Sequence, residues 1–568
     1  MVPQWYKQAT NNAKANSTPQ IEEPPIIEKL SKKLTLTIEG KEHLIPGANI
    51  KVLEVELNSY GFDGRLGFWM GTDKTPDKLV TPFSTEAIID IKLEILPTID
   101  HGEDDIKPLT FKAVVKEKSL HEKQYLAMDA RPVLYRYYEI WFCDAAQALW
   151  TQHYPCELEI KSTMRKIIEN QVNARIKVEY SHSALEEEQP LIALGLALTN
   201  GHSSIATGPQ NLASFYDFLM LYLISVEGYW VYDYKSHQYK IIDKKKPEDK
   251  IEEFLPHEVK KITSVWPETQ RHALRLNNGI AEGAKTEVIK QTFSHANIYH
   301  DVLYREPIVA KFDHSKKKQQ ALLGAHGEEL LAELSQWPLQ NYYPGCNFRV
   351  DEKVWGKTAL FSNKKYRSYQ ITLRTHAVNS HQENDLDAIS TEYFLHYEVK
   401  AELLENACKR FPDSTPTNYP FFVEGRIVSG IGDKKDKTYH IQTNDKSRQE
   451  EYEVFIPLWG KKIKVFFEPD FLNAHFYFPL YKETRVLVKF DLNRAAIAKI
   501  LSWGKDVKLP LGSQGNHILF GKNETDQTAL KHEYKQSKPV LSLKRIKGKD
   551  TELIQLEEGS LILQTREE

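Results

Sequence analysis

The chain has few cysteines, no excess of either charge and no long apolar run. Its 568 residues include four cysteines, without a CxxC pair, which predicts reduced structural cysteines in a protein made in the cytosol rather than a zinc or disulfide framework. Lys and Arg total 75 against 78 Asp and Glu, and this balance gives no electrostatic reason to expect a nucleic-acid partner. Without a stretch of about 18 apolar residues, we expect neither a membrane span nor a secretion signal.

Motifs that carry catalysis are missing as well. The sequence has no HExxH and no GxSxG. The acidic stretch HGEDD at 101–105 lacks EF-hand spacing and is typical of a solvated turn. Gly430–Gly432 predicts a hairpin turn, and Gly515–Lys522 predicts a strand, because five residues separate its glycines where a phosphate loop has four. We therefore predict no catalytic residue, no cofactor and no metal site, and we interpret the basic runs 244–246 and 316–318 as loops.

What the sequence does contain is alternation of apolar and polar residues, which favours β-strands. At about 150 residues per domain the length predicts three or four domains. Residues 1–30 are polar and hold four prolines, so we expect a flexible arm there. From Leu34 onward, LTLTIEG, VLEVELN and IIDIKLEIL alternate with the period of a strand. The fold class is therefore expected to be mainly β.

Four helices interrupt these strands in the sequence pattern. Asp144 is a candidate N-cap for DAAQALW, and a second helix is predicted over Ser162–Asn170. EELLAELSQW, residues 328–337, predicts a third helix that stops at the following proline. The fourth helix, within residues 211–228, has the clearest periodicity.

The apolar residues of this fourth helix recur at i, i+3, i+4 and i+7 and predict a buried face. They are Phe215, Phe218, Leu219, Tyr222, Leu223 and Val226. Gly228 is predicted to end the helix as a C′ glycine. The segments YWVYDY and YKIID then predict a β-hairpin around a KSH turn.

The last third of the chain changes character after the polar segment 411–420. Short strands follow one another between residues 416 and 506 and predict a small barrel of the OB-fold class. Residues 538–568 then form three apolar runs joined by turns such as KGKD and EEG. About thirty residues cannot bury enough apolar surface to offset their ordering entropy. Either the body of the same chain or other copies of the chain must cover them.

The order of these segments resembles that of VgrG-type spike proteins. SFYDFLMLYLISVEGYWVYDY is similar to a helix and hairpin of that family, and FVEGRIVSG is similar to the start of its OB-fold. GNHILFGKNETDQTALKHEY followed by KPVLSLKR resembles the start of its trimeric needle. The family forms the hub and spike of contractile injection systems, which include phage tail baseplates, type VI secretion systems and extracellular injection particles.

The resemblance implies a domain order and an oligomeric state. After an arm over 1–30, it implies an α+β hub of two tube-like β-barrel domains with helical insertions over 31–410, an OB-fold over 416–506, and an intertwined trimeric β-prism needle over 511–568. It also implies a homotrimer whose six tube-like units match a hexameric tube. The predicted needle core is Leu541, Leu543, Ile554, Leu556, Leu561 and Leu563.

The same resemblance implies the partners and the place of assembly. They are two further copies of the chain, an inner tube protein, baseplate and hub proteins, a separate PAAR-like tip protein, and effector cargo, with a target membrane contacted only on firing. Assembly is expected in the cytoplasm, with incorporation into a phage-tail-like particle. Two alternatives stay open: a tail-type cell-wall hydrolase, and a monomeric OB-fold protein that binds carbohydrate or nucleic acid. The short connector 504–514 leaves no room for an enzyme domain.

Overall fold

The structure of the chain is a computed structural model that covers most residues between 25 and 567. It describes 25–71, 77–98, 107–126, 132–194, 214–245, 251–254, 258–267, 271–279, 284–291, 293–304, 309–322, 327–350, 355–381, 386–406, 408–413, 419–434, 436, 438, 440–445, 449–467, 480–502, 515–523 and 525–567. The stretches at 101–105 and 504–514 and the predicted arm up to residue 24 lie outside these ranges. Strands hold 57% of the described residues and helices 11%, so the prediction of a mainly β fold is confirmed.

The strands and helices are numbered along the chain. In the hub region the strands are β1 (Ile26–Ile38), β2 (Lys41–Ile45), β3 (Ile50–Asn58), β4 (Gly61–Gly71), β5 (Ile89–Pro97), β6 (Leu109–Leu126), β7 (Pro132–Cys143), β8 (Leu158–Thr163), β9 (Val178–Tyr180), β10 (Glu188–Ala193), β11 (Tyr229–Asp233), β12 (Gln238–Ile242), β13 (Ile251–Phe254), β14 (Val259–Val265), β15 (Ala273–Asn278), β16 (Lys285–Ile289), β17 (Tyr299–Tyr304), β18 (Glu329–Leu334), β19 (Asn347–Val350), β20 (Lys365–Ala377) and β21 (Ser390–Leu403). The later strands are β22 (Phe421–Ile427), β23 (Ile441–Thr443), β24 (Glu450–Ile456), β25 (Lys461–Phe467), β26 (Arg485–Phe490), β27 (Ala495–Ser502), β28 (Gly515–Asn523), β29 (Asp526–Lys535), β30 (Lys538–Lys547), β31 (Asp550–Glu557) and β32 (Ser560–Arg566). The α-helices are α1 (Val80–Phe83), α2 (Ala145–Trp150), α3 (Met164–Gln171), α4 (Phe215–Ser225) and α5 (Val309–Leu322).

Eight strands of the hub close into a ring. Strand β20 pairs with β21 and with β3, and the circuit continues through β4, β7, β6, β5 and β1 back to β21. Every pair in it is antiparallel. Alternate residues of each strand point into the ring, and in β1 the inward side chains of Leu30, Leu34 and Leu36 are fully buried. The ring therefore joins the first and last strands of the hub around one core.

The long hairpin of β20 and β21 also carries a second part of the hub. One end of each strand completes the ring, while the other end of β20 pairs with β19 and the other end of β21 pairs with β18. Strand β18 continues to β14, and β19 continues to β13. The region predicted to hold two tube-like domains is thus one 13-stranded sheet whose two parts share a hairpin.

Smaller sheets extend from the hub. Strand β8 pairs with β10, and β12 pairs with both β11 and β9. Between β14 and β18 the chain forms a unit of β16, β15, β17 and α5 with its own small core, which includes Leu276 and Phe312. The predicted hairpin after helix α4 is confirmed as β11 and β12.

The segment after residue 419 forms a closed barrel of five strands. The order is β22, β26, β27, β25 and β24, and pairing of β24 with β22 closes it. Strand β23 adds to β24 outside the closed circuit. This is the class of barrel to which the predicted OB-fold belongs. Residues 468–479, within the segment predicted to form the barrel, lie outside the described residues.

One predicted helix is wrong. Residues 329–334 form strand β18 rather than a helix, with Leu330, Ala332 and Leu334 buried. Their spacing has the period of two that a strand requires. Strand β18 lies between β14 and β21, and pairing on both sides overrides the helix propensity of Glu, Leu and Ala.

Two further segments differ from the prediction. The basic run 316–318 lies inside helix α5 rather than in a loop, and Lys316 forms an ion pair of 2.7 Å with Glu287 on β16. Strand β1 begins at Ile26, so residues 26–30 do not belong to an arm. Ile26 pairs with Leu395 of β21, and that contact was not visible from local composition.

A lysine is buried inside the ring. Lys32 lies on the inward face of β1, where its Nζ donates a hydrogen bond of 2.7 Å to Thr375 Oγ1 and lies 3.2 Å from the centre of the Tyr393 ring. Burial, and to a lesser extent the neighbouring charge of Lys51, holds the pKa of Lys32 well below its ordinary value. The folded state therefore disfavours the charged amine more than the unfolded chain does.

We expect Lys32→Met to raise the thermal midpoint at pH 7, because Met keeps most of the volume and removes the cost of burying the amine. Replacing buried charged groups by apolar ones of similar volume is neutral or stabilising by up to about 4 kcal/mol. Since the pKa of Lys32 is lowered on folding, the stability of the wild type rises with pH between the folded and the unfolded pKa, so the difference in midpoint between variant and wild type should narrow from pH 7 to pH 9. Lys33→Met, at the exposed neighbouring position, is the matched control. A lower midpoint for Lys32→Met would show that the contacts with Thr375 and Tyr393 dominate.

Candidate assembly surface

The C-terminal strands form an antiparallel meander. Strands β28 to β32 pair in sequence order. Two of the turns place both central residues at positive φ, Gln536 and Ser537 in one and Glu558 and Gly559 in the other. Two-residue turns of this kind match the right-handed twist of the flanking strands and fix their register. The sequence therefore builds a continuous five-stranded sheet from local hairpins.

The register brings the predicted needle residues together. Leu541 pairs with Leu556, which pairs with Leu561, and Leu543 pairs with Ile554, which pairs with Leu563. Because residues two apart share a face of a strand, both rows lie on the same side of the sheet. On this side the row of Leu543 continues through Leu530 to Ile518. We call this side of the sheet the apolar face. Its apolar residues are Ile518, Leu530, Leu541, Leu543, Ile554, Leu556, Leu561 and Leu563.

The apolar face is the more exposed side of the meander, although Ile562 on the other side of the last strand is exposed as well. The exposed fraction rises from 39% at Leu541 to 71% at Leu563 in the last strand. On the opposite side Ala529, Val540 and Gln555 are all less than a tenth exposed. A contiguous exposed apolar patch of this kind marks an interaction site in a soluble protein. Burying a Leu side chain stabilises by about 1.5–3 kcal/mol, so a partner on this face would gain several such contributions.

Polar contacts border the apolar face. Next to the row of Leu543, Arg545 donates from Nη1 to both carboxylate oxygens of Glu552, at 2.8 and 2.9 Å. At the opposite ends of the strands, Lys538 pairs with Glu558. The apolar side chains therefore occupy the middle of the strands, with charged residues towards the ends.

Helix α4 lies inside the hub. Among its predicted core residues, Phe215, Phe218, Leu219, Tyr222 and Leu223 are buried and Val226 is half-buried. A capping box begins the helix: Ser214 Oγ accepts from Asp217 N–H, and an Asp217 carboxylate oxygen accepts from Ser214 N–H. The helix thus has a defined start that the sequence analysis did not identify.

The end of α4 differs from the prediction. Glu227, at φ 61°, is the left-handed C′ residue, and Gly228 follows it. The N–H of Gly228 donates to Leu223 O at 2.9 Å, which completes a Schellman motif. Glycine is still favoured at 228, because a Cβ there would lie 3.1 Å from Leu223 Cδ2 and 3.2 Å from His182.

Asp144 does more than cap helix α2. Its fully buried carboxylate accepts hydrogen bonds from Gln147 N–H at 3.0 Å, Phe62 N–H at 3.2 Å and Tyr239 O–H at 2.5 Å. Desolvation raises its pKa, although these donors act in the opposite direction. The carboxylate therefore joins β4 of the ring, α2 and β12.

The barrel contacts the hub through the antiparallel pair of β8 and β10. Leu158, Leu191 and Ala193 belong to the same apolar core as the barrel strands. Trp459 Nε1 donates to Cys156 O at 3.2 Å, and Tyr419 O–H donates to Ala193 O at 2.5 Å. Three residues of the hub strands thus belong to the apolar core of the barrel, a contact that local sequence did not predict.

Among the described residues, no three His, Cys, Asp or Glu side chains lie close enough together to hold a metal ion. No helix among the described residues is long and apolar enough to cross a membrane. All four cysteines are free, and three of them are buried.

Comparisons with known proteins give similarity at the level of structure. No protein-family model matches the sequence, and the search of curated proteins gives no match. Solved structures do match. The fold is similar to a chain in the lidless PdpA–VgrG complex, with a TM-score of 0.71 and 15% identity over 96% of this chain and 100% of that chain.

Two related structures give the same result. In the lidded Francisella PdpA–VgrG complex the TM-score is 0.72 at 15% identity, over 99% of this chain and 82% of that chain. In the half-lidded Francisella complex it is 0.71 at 15% identity, over 100% and 94%. At this identity the likeness shows a shared fold along nearly the whole chain, including the hub, the barrel and the terminal meander.

Proposed function

We propose that this chain is a structural protein, the spike and hub of a contractile injection system, and that it acts as a homotrimer. The observation that carries this proposal is the apolar face of the C-terminal meander, which is exposed in the single chain. The fold shared with chains of the PdpA–VgrG complexes supports it, as does the sequence resemblance to VgrG-type spike proteins.

Association of three copies of the meander would bury the exposed apolar face. Each sheet would turn its apolar face toward the threefold axis, so that Leu541, Leu556 and Leu561 of one chain are covered by the same residues of two others. The strands would then wind around one axis as a β-prism needle. At the wide end, the hub would begin tube assembly. At the narrow end, the needle would concentrate the force of the sheath on a small area of the target envelope.

The proposal includes partners and a place of assembly. Besides two copies of itself, the chain would bind an inner tube protein, baseplate proteins and a separate PAAR-like tip protein, and it would carry effector cargo. It would contact a target membrane only on firing and would not bind nucleic acid. We propose assembly in the cytoplasm and incorporation into a phage-tail-like particle.

Native mass measurement tests the trimer directly. At micromolar concentration the full chain is expected at three times the 65.7 kDa of one copy. Sedimentation velocity at several concentrations checks that this species is not a passing association. A chain that stays at the mass of one copy under these conditions would contradict the proposal and favour a monomeric barrel-containing binding protein.

A turnover assay separates the spike from a cell-wall hydrolase. Purified protein incubated with peptidoglycan or a chitin-like polymer is expected to release no more soluble fragments than a heat-inactivated sample, because no enzyme domain separates barrel and needle. Lysozyme serves as the positive control. Release above the heated sample would favour the hydrolase.

A further inference from the structure

The segment that leads from the hub to the barrel is bound along its first part. After β21 ends at Leu403, the N–H of Leu404 donates to Lys365 O at 2.9 Å, and the N–H of Asn406 donates to Leu403 O at 2.9 Å. Cys408, further along, is only 6% exposed. The segment that follows β21 thus begins packed against the sheet.

A buried carboxylate forms the centre of this packing. Glu402, near the end of β21, is 0% exposed. Lys245 Nζ donates to Glu402 Oε1 at 2.8 Å and to the carbonyl oxygen of Cys408 at 2.7 Å. Arg367 of β20 lies 3.9 Å from the same carboxylate. Lys245 therefore joins the segment after β12, the end of β21 and the connecting segment in one contact.

Arg410 binds the connecting segment a second time. Its Nη2 donates to Glu329 Oε1 at 2.6 Å and to Glu402 Oε2 at 3.4 Å. Its guanidinium lies 3.5 Å from the centre of the Tyr369 ring, and Tyr369 O–H donates to Glu329 Oε2 at 2.7 Å. The planar guanidinium is thus held by stacking and by two carboxylates at once.

The charges of this network come from separate parts of the chain. Its members are Lys245, Glu329, Arg367, Glu402 and Arg410. Removal of one partner from a buried ion network leaves the remaining charges uncompensated. The free energy of unfolding then falls by far more than the intact network contributes to it. Such a network therefore favours a single arrangement of the segments that it joins.

We propose that the Glu402 network is a latch that fixes the connecting segment to the hub, so that hub and barrel of one chain move as a rigid body. The contact of the barrel with β8 and β10 is a second attachment between hub and barrel. Domains joined by an unattached linker move relative to one another by default. A latch at the start of the connection removes that freedom, and this inference does not depend on the oligomeric state.

Trypsin provides a direct test, because it cleaves after Lys and Arg and the latch holds Lys409 and Arg410. Cleavage requires the segment to leave the hub, and its rate follows the population of the open form. In the full-length chain, Glu402→Gln is expected to raise the rate of cleavage after residues 409 and 410 by at least about ten-fold, which is about 1.4 kcal/mol in the opening equilibrium. Labelling of the Cys408 thiol should accelerate in parallel.

Two further variants make the result decisive. Glu424→Gln removes an exposed carboxylate that pairs with Arg485 at 2.7 Å on the barrel, and it should leave both rates unchanged. Lys245→Met breaks the latch from another element and should also accelerate cleavage and labelling. This variant decides the test if Glu402→Gln lowers the melting midpoint of the whole hub. Unchanged rates in both latch variants would overturn the proposal. Wild-type cleavage at 409 and 410 as fast as in an unfolded peptide of the same sequence would overturn it as well.

Discussion

Leu563→Asp is expected to open the C-terminal needle of the proposed trimer while the hub and barrel stay folded. In the proposed assembly the three copies of Leu563 face one another across the axis, so the variant would place three carboxylates in a dry core. Burying an unpaired carboxylate costs several kcal/mol, and like charges at short distance add repulsion. We expect loss of the trimer mass, or a large drop in the midpoint of the transition that exposes the needle.

Gln564→Asp is the matched control for this variant. Position 564 is the next residue on the same strand and points to the opposite side of the sheet, so the same charge should have little effect there. Native mass and thermal melting of both full-length variants decide the outcome. If Leu563→Asp keeps the mass and midpoint of Gln564→Asp, the apolar face is not the trimer core.

Asp144→Ala is expected to destabilise the hub strongly. The change leaves the N–H groups of Phe62 and Gln147 and the O–H of Tyr239 without the carboxylate that they share in the fold. Each buried donor left unsatisfied costs about 1–3 kcal/mol, so the loss should be on the order of 3 kcal/mol or more. The thermal midpoint of the full chain should fall, with tryptophan fluorescence as a second probe of the hub.

Two other variants set the scale of this effect. Asp144→Asn keeps one acceptor oxygen and should fall between the wild type and Asp144→Ala. Asp313→Ala removes an exposed carboxylate that lies 3.5 Å from Lys285, and it should change the midpoint little. If Asp144→Ala has the same thermal midpoint as Asp313→Ala, the buried carboxylate does not hold the hub elements together.

The local pattern of the chain was sufficient to predict several of the elements that bury one face. Alternation from Leu34 onward predicted the strands of the ring, and the apolar period of 211–228 predicted helix α4. The terminal meander follows from short hairpins, so the pairs of Leu541 with Leu556 and of Ile554 with Leu563 depend only on turns a few residues away. Six of the eight residues of the apolar face were thus predicted from sequence as a needle core, which stays a prediction, while Ile518 and Leu530 join them only through the register.

Contacts between distant segments decided the rest. The pattern of 328–337 fits both a helix and a strand, and β18 is a strand because β14 and β21 lie on either side of it. Ring closure brings Leu30 opposite Thr391, a pairing that no local signal encodes. The latch unites charges on five separate segments, and nothing in the local sequence of any one of them shows that these charges meet.

The sequence by itself thus determined the mainly β character, the order of hub, barrel and meander, and the apolar side of the terminal strands. Only the tertiary structure decided which strands close the ring, that the barrel shares its core with Leu158 and Leu191 of the hub, and that Glu402 is buried among cations. The physical reason is that periodicity reports which face of an element avoids water, whereas the identity of the neighbour that covers this face depends on side chains far away along the chain.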